Sequence, residues 1–199
     1  MEATRRVYTT RKMVCTSLLS AMAAVLMYVD TALPIFPAFL KLDISDLPAL
    51  IGTFTFGPGT GVMIEAIKNV IHSISTSTGG VGELANFIMG SALVIPAGII
   101  YRRERTKRGA LIGLATGTIS MAITAALTNA FILLPFYSNF VPLDRIIELS
   151  SSVIPLITDV PSLVIWGIVP FNILKGTIVS FLTLLLYKRI GEALPCREV

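Results

Sequence analysis

Residues 84–108 read LANFIMGSALVIPAGIIYRRERTKR, and this stretch decides the fold. No charged side chain occurs from Leu84 to Tyr101; Arg102, Arg103, Arg105, Lys107 and Arg108 then follow almost without interruption. A helix of that length crosses a hydrocarbon core about 30 Å thick. Cations packed against its end mark a short loop retained on the cytoplasmic side. Two further clusters abut apolar runs in the same way, Arg5, Arg6, Arg11 and Lys12 near the start and Lys188, Arg189 and Arg197 near the end. Together the three hold twelve of the sixteen basic residues.

The rest of the composition agrees. The chain is 54% hydrophobic and only 14% charged, with a mean hydropathy of +0.80. Soluble domains carry about 25% charged residues, and so few charges cannot cover a soluble surface. The net charge of +4 raises the question of nucleic acid, but cations confined to helix ends follow the positive-inside pattern, and no nucleic-acid partner is expected. No A-x-A-like cleavage site follows the first apolar run, so it is read as a retained helix. Cys15 begins an apolar run and Cys196 lies in the basic tail, an arrangement that does not suggest a disulfide.

The expected architecture is an all-α integral membrane protein, a six-transmembrane-helix bundle with N and C termini cytoplasmic. It forms a single membrane domain, 1–199, with helices at roughly 13–30, 47–57, 61–77, 83–102, 108–135 and 160–188. Outer loops at 31–46 and 136–159 are too rich in proline and charge to span. The second and third helices are separated by Gly57-Pro58-Gly59-Thr60-Gly61, a strong turn signal. Four crossings between the first two basic clusters and two between the last two return all three to one face.

Ionisable groups within spans are costly, so each is a candidate functional residue. Glu65 and Lys68 are three apart and either pair with each other or serve a ligand. Glu83 opens the fourth helix, where a carboxylate suits the positive end of the helix dipole. Lys175 lies mid-span with no acidic residue within four positions, and Asn172 stands three residues earlier on the same face. Asn86 and Asn129 sit in the fourth and fifth helices. Single amides often act only as interhelical glue, but Asn172 and Lys175 together beneath a proline-bearing outer loop read as a binding pocket. The single histidine, His72, cannot build a His-based metal site, and no metal is expected. No P-loop or G-x-S-x-G motif occurs, so the chain is not expected to be an enzyme or to hydrolyse ATP by itself. In the first helix, Ser17-x-x-x-Ala21 and Ser20-x-x-x-Ala24 allow close helix approach, within the bundle or with a partner.

Four stretches resemble the riboflavin-specific S components of energy-coupling factor (ECF) transporters. They are Phe39-Leu40-Lys41-Leu42-Asp43-Ile44-Ser45-Asp46-Leu47-Pro48, Ile67-Lys68-Asn69, Gly82-Glu83-Leu84-Ala85-Asn86-Phe87 and Pro170-Phe171-Asn172-Ile173-Leu174-Lys175-Gly176. The resemblance runs from the first outer loop to the last helix. It implies a subunit of the bacterial cell membrane that binds riboflavin from outside and relies on a transmembrane scaffold and two ATPase subunits for uptake. Riboflavin is then a transported ligand, not a cofactor. The resemblance further implies that Asn129, Asn172 and Lys175 contact the flavin and that Leu40, Lys41, Leu42 and Asp43 cover it. The family's first-helix contact motif, Ala-x-x-x-Ala, matches the pairs made by Ser17, Ser20, Ala21 and Ala24, with serine replacing one alanine of each.

The chemistry of the ligand fits those residues. Riboflavin joins a flat tricyclic ring to an imide-like edge with one N–H flanked by carbonyls. An Asn side chain offers both donor and acceptor, and a Lys ammonium offers three donors. A phosphorylated flavin would call for more cations than Lys175 and Lys41. The competing expectations are a self-sufficient secondary transporter using Glu65, Lys68 or Glu83 as an ion relay, or an S component for a different vitamin.

Overall fold

The computed structural model describes residues 2–76 and 78–193, without side-chain detail for 2–9, 188 and 190–193. Ser77, Cys196 and Arg197 lie outside the described residues. Among the described residues the fold is all-α apart from one short ribbon. Helix α1 spans Glu2–Met27, α2 Asp46–Phe56, α3 Pro58–His72, α4 Val81–Arg103 and α5 Lys107–Thr128. A π-helical segment, Asn129–Leu133, carries α5 into α6, Leu134–Tyr137. A surface helix α7, Leu143–Ser151, precedes α8, Val160–Ser162, which passes through a second π segment, Leu163–Ile168, into α9, Val169–Ala193. Between α1 and α2, β1 (Thr31–Ala32) pairs antiparallel with β2 (Lys41–Leu42), so the outer loop is a pinned ribbon.

Among the described residues, four stretches are long and apolar enough to cross a membrane: Thr10–Met27, Val81–Arg103, Lys107–Tyr137 and Val160–Tyr187. The α2 and α3 pair does not meet that length. At 1.5 Å per residue, the 11 residues of α2 reach only about 16 Å. Its place in the fold explains why it is so apolar: α2 packs against α1, α3, α4 and α9, and every residue from Asp46 to Thr53 is buried. Gly57, at φ +97°, takes the left-handed turn that lets Pro58 start α3 immediately.

Contacts at the two ends define the direction of each helix. Tyr28, just past α1, lies 4.9 Å from the ring of His72 at the end of α3, and His72 Nδ1 hydrogen-bonds Glu83 at the start of α4 at 2.9 Å. At the opposite end Phe54 of α2, Tyr101 of α4 and Tyr187 of α9 form one aromatic cluster, with Phe54 stacked on Tyr101 at 4.3 Å. Neighbouring helices therefore alternate in direction. Arg102 and Arg103 sit at the end of the bundle opposite the ribbon.

The half of the bundle nearer that aromatic cluster is packed through small residues. A Cβ on Gly113 would lie 2.8 Å from the Ala97 carbonyl oxygen, and one on Gly117 would lie 2.5 Å from that of Leu93. The α4 and α5 backbones thus touch directly, which is how helices gain packing energy in lipid. Cys15 is buried in α1, and Cys196 lies outside the described residues.

Candidate functional site

A cavity of about 160 Å³ opens in the half of the bundle beneath the ribbon. The loop supplies Phe39, Leu40 and Lys41, and α2 supplies Asp46. One face of α4 contributes Gly82, Asn86, Met89 and Gly90, spaced three or four apart as a helical face requires. Met121, Asn129, Leu133 and Tyr137 come from α5 through α6, and Phe171, Asn172 and Lys175 from α9. Leu40 and Phe171 belong to an apolar cluster with Leu134, Ile157, Leu163 and Ile168 that seals this half of the molecule.

The first π segment borders the cavity through Asn129 and Leu133, the second ends four residues before Asn172, and each is followed closely by a proline. Pro135 and Pro170 have no N–H to continue the regular ladder, and the helix widens just before each into a π turn, a distortion common at functional sites. Asn129 opens the first π turn and Asn172 lies in the first turn of α9, and both line the cavity. Asn129 Nδ2 donates to the Ala125 carbonyl at 2.8 Å, and Asn172 Nδ2 donates to the Ile168 carbonyl at 2.8 Å. Each amide is thereby oriented while its oxygen and second N–H remain for another partner. The start of α8 is fixed by a capping box between Asp159 and Ser162.

Lys175 is not the unpaired cation its sequence context suggests. Its ammonium donates to Asp43 Oδ2 at 2.7 Å and lies 3.5 Å from Asp46 Oδ2, all three side chains being buried. Lys68 is wholly buried and pairs with both Asp46 and Glu65, the latter at 2.8 Å, while also donating to Ser45 Oγ at 2.9 Å. The Glu65–Lys68 pairing is thus one link of a longer network that ties the loop, α2, α3 and α9 together. Gly90 leaves the room that the Glu65 carboxylate occupies. Burial opposes ionisation of Asp43, but the Lys175 charge and hydrogen bond outweigh it and hold its carboxyl below the ordinary value. Breaking such a pair from one side costs about 3–5 kcal/mol, because a buried charge is left alone.

Of the residues singled out by sequence, Leu40, Lys41, Asn86, Asn129, Asn172 and Lys175 line the cavity together. Leu42 packs against the outer apolar cluster instead, and Asp43 turns to Lys175 rather than into the space. Met89, Gly90, Met121 and Phe171 were not anticipated, although the first three stand three or four residues, or two helical turns, from Asn86 or Asn129. In α1, Ser17 and Ala21 face outward beside the exposed Val14, Leu18 and Val25. Ser20 and Ala24 are 2% and 4% exposed and point into the bundle, with Ser20 Oγ donating to the Thr16 carbonyl at 2.8 Å. Only one of the two small-residue pairs is open to a partner helix, because a 3.6-residue period places Ser17 and Ser20 on different faces.

A polar-walled cavity at one end of a bundle of apolar helices is the form of a membrane protein that binds a small solute. The chain belongs to the ECF transporter substrate-specific component family, whose model matches residues 11–187. It is a multi-pass protein of the cell membrane. The riboflavin transporter RibU of Staphylococcus aureus (strain TCH60) is 33% identical over 184 residues, 92% of each chain. The riboflavin transporter FmnP of Bacillus subtilis (strain 168) is 34% identical over 183 residues, 90% of this chain and 92% of that one. A solved structure of the S component of a bacterial ECF transporter superimposes with a TM-score of 0.74 and 33% identity, over 94% of this chain and 99% of that one.

Proposed function

We propose that this chain is the riboflavin-binding S component of an ECF-type importer, taking the vitamin from outside. The observation that carries this is the convergence of Asn129, Asn172 and Lys175 on one cavity beneath Leu40, joined with relatives named as riboflavin transporters. Two oriented amides and an ammonium match an imide edge of alternating acceptors and donor. Leu40, Met89 and Phe171 supply apolar surface for the ring. The cavity is smaller than the roughly 300–1,000 Å³ of typical ligand pockets. Phe39, Leu40 and Lys41 must therefore move outward to admit three fused rings and close again over them.

The membrane topology belongs to the same reading. Six crossings, with α2 and α3 as a short central hairpin, place both termini and all the basic clusters on the cytoplasmic face. The flavin enters as cargo and not as a cofactor. Uptake draws on a scaffold subunit and two ATPases, with Ser17 and Ala21 on the outward face of α1 as the docking strip. A self-sufficient transporter is less well supported, since Lys68 and Glu65 are locked in ion pairs.

Titration of detergent-purified protein with riboflavin, followed by flavin fluorescence, tests the proposal. Saturable one-to-one quenching at submicromolar concentration supports it. Absence of quenching with correctly folded protein removes it.

A further inference from the structure

Exposed ions are treated differently at the two ends of the bundle. On the side of the ribbon, Lys41 pairs with Asp30 at 2.9 Å and Arg145 with Glu148 at 2.7 Å. At the opposite end Arg102, Arg103, Arg105, Lys107 and Arg108 are all exposed, and none of them meets a carboxylate among the described residues. Glu104, the one acid among them, instead accepts the Thr106 hydroxyl at 2.9 Å, and Thr106 Oγ1 accepts the Gly109 N–H at 3.0 Å. A Cβ on Gly109 would run into the Glu104 carbonyl oxygen. The turn is therefore tight and holds its cations in place. Lys107 and Arg108 also open α5, whose first turn has no acidic residue. They face the positive end of the helix dipole, which is unfavourable unless an anion sits among them.

The surface beside these cations is apolar. Ile95 and Ile99 lead along α4 to Arg102 and Arg103 at helical spacing, and Leu111 and Ile112 follow Arg108 along α5; all four apolar side chains are exposed. A ligand with an anionic head and hydrocarbon chains matches both surfaces at once. Soluble phosphate gains nothing from the apolar flank, and an acidic protein would have to enter the bilayer to use it.

We propose that the α4–α5 turn binds the headgroup of an anionic phospholipid of the cytoplasmic leaflet, whose chains lie along α4 and α5. The leaflet follows from the topology above, while the flavin reading does not enter.

The test follows melting of detergent-purified protein with added phosphatidylglycerol, phosphatidylcholine or inorganic phosphate. Wild type is compared with Arg102→Gln/Arg103→Gln and Lys107→Gln/Arg108→Gln. Saturating phosphatidylglycerol should raise the wild-type melting temperature by about 5 °C or more, and added salt should shrink that rise. Phosphatidylcholine and phosphate should each change it by about 1 °C or less. Both variants should lose about half or more of the phosphatidylglycerol effect. Without lipid, Lys107→Gln/Arg108→Gln should melt no lower than wild type, because it removes cations from the positive end of α5. No shift with phosphatidylglycerol, or an equal one with phosphatidylcholine, overturns the proposal. A shift reproduced by phosphate alone overturns the lipid assignment. So does a full phosphatidylglycerol shift in Lys107→Gln/Arg108→Gln, the variant that decides alone if Arg102→Gln/Arg103→Gln does not fold.

Discussion

The two halves of this bundle are built from different materials. Around Phe54, Tyr101 and Tyr187 the helices meet through glycine, alanine and aromatic rings, with α4 and α5 in direct backbone contact. Beneath the ribbon the same helices diverge, two of them through π turns, and among the described residues enclose six buried charged side chains and a cavity. Close packing costs nothing in lipid, whereas buried ions and widened helices do. The contrast shows where stability is stored and where it is surrendered for a site.

The strongest way to break that division is to thicken the well-packed half. Gly117→Leu drives a side chain into the Leu93 carbonyl, and no room exists for it to relax. Loss of monodisperse protein in size-exclusion chromatography is expected, with a stability cost of several kcal/mol. Well-behaved protein carrying this substitution would mean that α4 and α5 are not the rigid half.

Lys175→Ala is next. It should weaken riboflavin binding by about a hundredfold or more and also lower the melting temperature, since Asp43 loses its partner. Pairing it with Asp43→Asn should restore melting but not binding, and this separates the two roles of the lysine. If the double variant binds normally, the ammonium is structural alone. Asn172→Ala removes one oriented amide and should cost about tenfold in affinity with melting nearly unchanged. Ala21→Leu alters only the outward strip of α1, so binding should stay within about twofold while partner-driven uptake falls. Uptake at wild-type level would remove that strip as the docking surface.

The smallest effect concerns pH. Because the folded Asp43 carboxyl lies below its ordinary value near 3.9, its pairing with Lys175 is present above that value and is lost only as pH falls through the lower, folded one. Riboflavin affinity should therefore be flat from about pH 8 to pH 5.

Much of the stable half was legible in the chain. Uncharged runs and the cations that close them mark the spans, because lipid imposes composition directly. The polar side chains of the site were legible one at a time, since Asn129, Asn172 and Lys175 stand out against apolar neighbours. Their connections were not. Asp43 and Lys175 are 132 positions apart, and no local pattern joins them, so Lys175 read as unpaired. The period of α1 was available but was applied only to pairs, which left Ser20 and Ala24 on the wrong face. The apolar stretch of α2 looked like a span cut short because a buried central helix and a lipid-facing one have the same composition.

The central claim is that a neutral flavin lies against the Lys175 ammonium and its amide neighbours beneath the loop. A structure of the purified protein with riboflavin bound tests it most directly. The account predicts ring heteroatoms within about 3.2 Å of Lys175 Nζ and of the Asn129 or Asn172 amide, with Asp43 still paired to Lys175. A flavin seated elsewhere, with the Lys175 ammonium out of its reach, would contradict it.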